Sequence, residues 1–271
     1  MTSLEKIVNN RRALLIREKQ SVPEKEIRKK TEDLYESGYV PDNFLNTFNY
    51  NKPFLIAEIK KSSPSKGIIR NDFNINEIAG AYKSFGYVNS ISVLTEPDFF
   101  SGRYEYIKTT RETAKKPVLM KDFVIDEYQI YRGFLEGASA VLLIAAVLDE
   151  KEITKLAGLA RELNMKILFE THTVTEYRTA LNNDFDLIGI NNRDLKTFVT
   201  DIYTTIKIFE SEGKPQNRIV ITESGIESRE DVRLLRDNGA DGFLIGERFM
   251  KQKDIAAAIS DLFGESNASS R

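Results

Sequence analysis

FLIAEIKKSSPSKG, residues 54–67, is an apolar run that closes on a carboxylate and an ammonium two positions apart, Glu58 and Lys60. Successive side chains of a strand point to opposite faces, so Ile56, Glu58 and Lys60 share one face. Burying a charged pair on the inward face of an apolar strand costs desolvation energy, and few structural purposes call for it. The same layout returns downstream. PVLMKDF (117–123) carries Lys121, KILFETH (166–172) Glu170, LIGINNRD (187–194) Asn191 and Arg193, RIVITESG (218–225) Ser224 and Gly225, and GFLIGE (242–247) Gly246. An apolar strand that delivers a polar residue at its C-terminal end is the layout of the active face of a parallel barrel.

Apolar, β-branched runs near residues 54–59, 90–95, 117–121, 139–144, 166–170, 186–191, 218–222 and 242–246 predict eight strands. Between them lie helical spacings of apolar residues, such as Ile75, Ile78, Ala79 and Tyr82, or Ile153, Leu156, Leu159, Ala160 and Leu163. GAS at 137–139, a turn leading into a strand, returns as GAD at 239–241. The fold class is therefore α/β, a single (βα)8 TIM barrel. A doubly wound open sheet is the alternative, but no GxGxxG follows the first strand.

Residues 1–48 precede the barrel and predict a helical extension packed on it. Thr2 with Glu5, and Ser21 with Glu24, have capping-box spacing, and Leu4, Ile7, Val8, Leu14 and Leu15 form an apolar stripe. The charges of RRALLIREK are expected to be solvated, and a place beside the first strand would let this helix border the active face. The barrel is expected over 49–264 and a disordered tail, ESNASSR, over 265–271.

The chain has 271 residues, 41% of them apolar and 30% charged, which is the composition of a globular domain with a sizeable core. A net charge of −2 supplies no global field to recruit nucleic acid or a membrane surface. The absence of cysteine removes disulfides, thiol nucleophiles and thiolate metal sites. The N-terminal stretch is charged throughout, unlike a signal peptide or a membrane span. A cytoplasmic monomer acting on a small molecule, with no nucleic-acid or membrane partner, is the expectation.

With His172 the sole histidine, acid–base work falls to Lys, Glu and Asp. Lys60, Lys121, Glu58 and Glu170, brought to one mouth, supply two proton donors and two acceptors. Burial and mutual pairing pull their pKa values in opposite directions, and the balance is expected to bring both types toward working pH. A set of ion pairs rimming the barrel is the plain structural alternative. Ser224, Gly225 and Gly246 leave backbone N–H groups open to a phosphate, or else make tight turns. Ser63, Ser65 and Gly67 belong to a lid or a solvated loop, and Phe99, Phe100 and Phe123 line an aromatic pocket or fill core.

IAEIKKSSPSKG, SVLTEPDFFSG, PVLMKDFVIDEYQI, LIGINNRDLKTF, ITESGI and FLIGERFM, in that order across about residues 50–250, resemble the indole-3-glycerol-phosphate synthase family. The resemblance implies a (βα)8 barrel with an N-terminal extension. It also implies ring closure of 1-(2-carboxyphenylamino)-1-deoxyribulose 5-phosphate with loss of CO2 and water, in tryptophan biosynthesis, without cofactor or metal. Carried across, it makes Lys121 the general acid on the ketone oxygen and gives the later dehydration to Glu58 and Lys60. Glu170 would serve as electrostatic stabiliser or alternative base. Asn191, counted with these, and Arg193 would orient polar groups of the substrate, its carboxylate included. Ser63, Ser224, Gly225 and Gly246, with Glu247 after Gly246, would meet the phosphate, with Phe100, Phe123, Leu142 and Leu195 around the aryl ring. Arg248 departs from the family, which usually carries a small residue there, and is expected to point to solvent. A Schiff-base aldolase using Lys121 and a non-catalytic phosphosugar-binding barrel are the competing readings.

Overall fold

The structure is a computed structural model that describes residues 2–264; the tail expected over 265–271 lies outside them. Eight parallel strands close into a barrel, each bonded to its neighbours in sequence and the last to the first: β1 (Phe54–Ile59), β2 (Val88–Leu94), β3 (Val118–Lys121), β4 (Ala140–Ile144), β5 (Lys166–Thr171), β6 (Leu187–Asn191), β7 (Ile219–Glu223) and β8 (Gly242–Ile245). Around and beside them run α1 (Ser3–Ser21), α2 (Glu24–Glu36), α3 (Ile75–Lys83), α4 (Pro97–Phe100), α5 (Glu105–Ala114), α6 (Glu127–Leu135), α7 (Glu150–Glu162), α8 (Val174–Asn182), α9 (Tyr203–Glu212), α10 (Arg229–Asp237), α11 (Glu247–Met250) and α12 (Ile255–Phe263).

Strand alternation sorts the core into two layers. Leu55, Ala57, Val93, Met120, Leu143, Phe169, Ile190, Val220 and Phe243 face outward and pack under the helices. Phe54, Ile56, Leu119, Leu142, Leu168, Leu187, Ile221 and Leu244 face inward and fill the barrel. The inward set continues, two residues on, into Glu58, Lys121, Ile144, Glu170, Gly189, Glu223 and Gly246. β2 begins two residues earlier than the run at 90–95 suggests. A bulge between Leu55 and Ile56 accommodates Asn89, whose side-chain oxygen accepts the Leu55 N–H at 2.8 Å.

The N-terminal extension forms two helices. Thr2 and Glu5 make the expected capping box. Ser21 and Glu24 do not: α1 runs through Ser21, and Pro23, which has no N–H to donate and a fixed φ of −58°, stands at the N-cap of α2. Ile7, Val8 and Leu15 of the expected stripe are buried, while Leu4 and Leu14 are half-buried. The solvated-charge expectation fails at Arg11, which is fully buried. Its guanidinium pairs with Glu18 at 3.1 Å and Asp122 at 3.3 Å and donates to the Tyr104 hydroxyl at 2.8 Å. α1 is thus fastened to the residue that follows Lys121. At the opposite end Phe44 and Phe48 pack on Phe54, with ring centroids 6.1 and 5.9 Å apart, and cover the barrel floor.

Candidate active site

A cavity of about 800 Å³ opens at the C-terminal ends of the strands, a size suited to a small-molecule ligand. Every residue carried across from the family resemblance lines it, and so do Ser65 and Leu4 and Ile7 of α1, whereas Gly67 and Phe99 do not. Glu58 is buried and accepts a hydrogen bond from Lys60. Lys121 reaches across the mouth to two carboxylates, Glu170 at 3.1 Å and Glu223 at 3.2 Å. Ring geometry also explains two glycines. A Cβ on Gly246 would lie 2.7 Å from Glu58 Cβ, and one on Gly189 would collide with the Glu223 carboxylate.

Electrostatics divides these groups. Burial alone would lower the Lys121 pKa, but Glu170, Glu223 and Glu58 outweigh it and hold the ammonium well above the ordinary lysine value. The expectation of a lysine brought toward working pH is therefore not met; pairing wins. Burial pushes Glu170 up, yet Lys121 and His172 overcome it and keep this carboxyl well below the usual range. Burial and the charge of Glu170 together prevail over Lys121 at Glu223, whose pKa rises to about 8. Two carboxyls on one ammonium thus settle as one anion and one acid. Among the described residues, Glu223 Oε1 and Ser63 Oγ of the cavity-lining side chains are buried without a hydrogen-bond partner.

Beside the charged ring lies an apolar slot. Phe100 and Phe123 face each other with centroids 6.1 Å apart at 39°, and Leu142 and Leu195 belong to the same interior cluster. Buried Glu96 accepts N–H bonds from Asp98, Phe99 and Phe100, which pins the short helix carrying Phe100.

On the other side of the mouth Ser224 and Gly225 both take left-handed backbone, with φ of 66° and 79°. Gly225 is required twice over, since a Cβ there would also meet Thr200 Cγ2 at 2.5 Å. Asn192 fixes this turn by donating to the Ser224 carbonyl at 3.1 Å and to Thr222 Oγ1 at 3.0 Å. Arg193, whose N–H donates to Asn191 Oδ1 at 3.0 Å, spans from Ser65 Oγ at 3.3 Å to Glu247 at 3.0 Å. The loop after β1 is a short hairpin in which Ser62–Ser63 pairs with Gly67–Ile68. Arg248 does not point to solvent: it donates to the Glu227 carbonyl at 3.2 Å and pairs with Asp261 at 2.6 Å, and its side chain is 18% exposed. Among the described residues no cluster of three or more His, Asp or Glu side chains is placed to hold a metal ion. No described helix is long and apolar enough to cross a membrane.

A family profile described as indole-3-glycerol phosphate synthase matches residues 4–262. The chain belongs to the indole-3-glycerol phosphate synthase family. Relatives carrying that description include a protein of Prochlorococcus marinus (strain MIT 9301), 48% identical over 216 residues, covering 78% of this chain and 73% of the relative. Another, from Caldanaerobacter subterraneus subsp. tengcongensis, is 44% identical and covers 93% and 94% of the two chains. Among solved structures a 3-hexulose-6-phosphate synthase superposes with a TM-score of 0.61 at 16% identity, covering 77% of this chain and 97% of that one. Orotidine 5'-phosphate decarboxylase from Pyrococcus horikoshii OT3 gives 0.58 at 11%, covering 78% and 97%. These two share the barrel.

In this synthase-family chain the sequence pattern under-reads the mouth by one carboxylate. Glu223 follows Ile219 and Ile221 at strict period two, so it belongs to the inward set, but the neighbouring Ser224–Gly225 pair is the louder signal. His172 gives a weak sequence signal for a related reason: a lone histidine suggests no metal cluster or triad, whereas its position two after Glu170 and four before Glu176 makes it a bridge between carboxylates.

Proposed function

We propose that this mouth closes the indole ring of 1-(2-carboxyphenylamino)-1-deoxyribulose 5-phosphate, releasing CO2 and water to give indole-3-glycerol phosphate. The observation that carries the reading is Lys121 held as an ammonium between Glu170 and Glu223, beside an aromatic slot and a left-handed Ser224–Gly225 turn. The aryl ring belongs between Phe100 and Phe123, and the phosphate at Ser224, Gly225 and Gly246, with Ser63 Oγ as a further donor. Glu247 already serves Arg193 and Lys251, so it anchors Arg193 and is not itself a phosphate ligand.

As the ring carbon bearing the carboxylate attacks the ketone, Lys121 donates a proton to the forming alkoxide. The C–CO2 bond then breaks and its electron pair restores the aromatic ring. Dehydration follows: Lys60 protonates the departing hydroxyl while Glu58 takes a proton from the adjacent CH2, and the new double bond completes the indole. Glu170 stays ionised and stabilises the ammonium, and Glu223, carrying a proton near neutral pH on the opposite side of Lys121, is a hydrogen-bond donor toward the substrate oxygen.

The test is to mix purified protein with that substrate in chelator, without cofactor, and follow indole emission, which no tryptophan in the chain obscures. Indoleglycerol phosphate is the expected product. Trapping of a lysine adduct by borohydride would favour the aldolase reading instead, and binding without turnover would favour a ligand-binding barrel.

A further inference from the structure

His172 does not line the cavity, yet it touches the carboxylate that does. Its ring is wedged between β5 and the first turn of α8, with Nε2 3.2 Å from Glu170 Oε1 and Nδ1 3.3 Å from Glu176 Oε2. The Glu176 oxygen is itself fixed by the His172 backbone N–H at 2.7 Å. Only 9% of the imidazole side chain is exposed, and Nε2 has no aligned hydrogen bond, so its contact with Glu170 is an ion pair. Glu170 is gripped from both sides, Oε2 by Lys121 and Oε1 by His172.

We propose that His172, braced by Glu176, is a positioning residue for the ring-closing chemistry: as a buried cation behind Glu170 it fixes that carboxylate as the ionised partner of Lys121 and leaves the shared proton on Glu223. This deepens the functional reading above and rests on it. A barrel mouth with two buried carboxylates on one lysine has two ways to place a proton, and the lysine lies almost equally far from both. Symmetry is broken from outside the cavity. Glu170 has a second cation and, among the described residues, Glu223 has only Lys121, so the anion settles on Glu170. The charged groups facing the imidazole are Glu170 from β5 and Glu176 from α8, with Lys121 of β3 and Glu223 of β7 one contact further on. Burial would lower the imidazole pKa, but the two carboxylates overcome it and raise the value to about 10. The cation is therefore present across the neutral range.

Two measurements decide it. His172 is the sole histidine, so the tag-free full-length protein gives a single imidazole signal set by NMR. That signal is expected to stay protonated beyond pH 8; titration near the ordinary value of about 6.5 overturns the proposal. In the second, His172→Gln is expected to lower kcat roughly tenfold with KM held. The acid limb of its pH profile should move up by about one unit, because Glu170 loses a cation that kept it ionised. Glu176→Gln should shift both readouts in the same direction by less, and it serves if the first variant does not fold. Unmoved kcat and acid limb in an otherwise active protein would sink the His172 role alone. A wild-type protein that does not form indoleglycerol phosphate would sink the functional reading, and with it this role in ring closure, while the imidazole titration still tells whether the ion pair exists.

Discussion

At the floor of the barrel Phe54 meets Phe44 and Phe48, whereas four residues further along the same strand Glu58 meets Lys60. Both lie on the inward face, about 13 Å apart at strand rise. Leu119 and Lys121 on β3, Leu168 and Glu170 on β5, and Ile221 and Glu223 on β7 repeat the pattern. One alternation thus writes two environments. Floor residues gain free energy by leaving water, while rim residues give it up and recover part through one another. Stability and chemistry are separated along the strand axis, which lets either be changed with limited damage to the other.

The largest test of that separation is Lys121→Ala, expected to lower turnover by about two to four orders of magnitude. The barrel should remain folded by circular dichroism, because the stranded Glu170 and Glu223 can take up protons. Wild-type-like turnover would remove Lys121 from the mechanism. Phe44→Ala is the counterpart at the floor. Denaturant titration should show a loss of about 3–5 kcal/mol, with kcat per folded molecule unchanged; a falling kcat would mean that floor and rim are coupled.

A third test reads the rim as a stability term. Glu223, with a folded pKa of about 8, holds its proton longer in the folded chain than in the unfolded one. Its contribution is therefore fully present below the ordinary glutamate range and lost as pH rises through 8. His172, raised to about 10, acts in the same sense, present below its ordinary value and lost on the way to 10. Glu170 is depressed, so its contribution is constant over this window and lost only in acid. Tm should fall from pH 5 toward 9, and Glu223→Gln should flatten the earlier part of that fall. A Tm rising over the same range would refute the assignment. The smallest effect is expected from Arg248→Ala. Its donors go to Glu227 and Asp261, and a partly exposed pair is worth about 1 kcal/mol or less, so KM should move by no more than about fivefold. A larger rise would show that this arginine reaches the phosphate.

What could be read from the sequence follows the same division. Period-two alternation and repeated strand ends were enough to place the eight strands, and to bring Glu58, Lys60, Lys121, Glu170 and Asn191 to one cavity. Glu223 obeys the same period but stands beside a more conspicuous turn. Arg11 escaped because helical charges are usually solvated, and only the tertiary approach of Asp122 and Tyr104 shows why this one is not. The start of α2 departs from the Ser21–Glu24 spacing because Pro23 stands at its N-cap. The balance of pKa values at the mouth depends on distances between strands distant in sequence, which no local pattern carries.

Phe44 and the layer of side chains above it have one more consequence. With the far end filled by described residues, the cavity is entered from the C-terminal ends of the strands, and substrate and product share that entrance. Product and substrate occupy the same room in the free enzyme, so product inhibition is expected to be competitive with substrate in steady-state kinetics; a noncompetitive pattern would mean that product binds elsewhere or to another enzyme form. The seal that steadies the barrel also makes departure part of the turnover time.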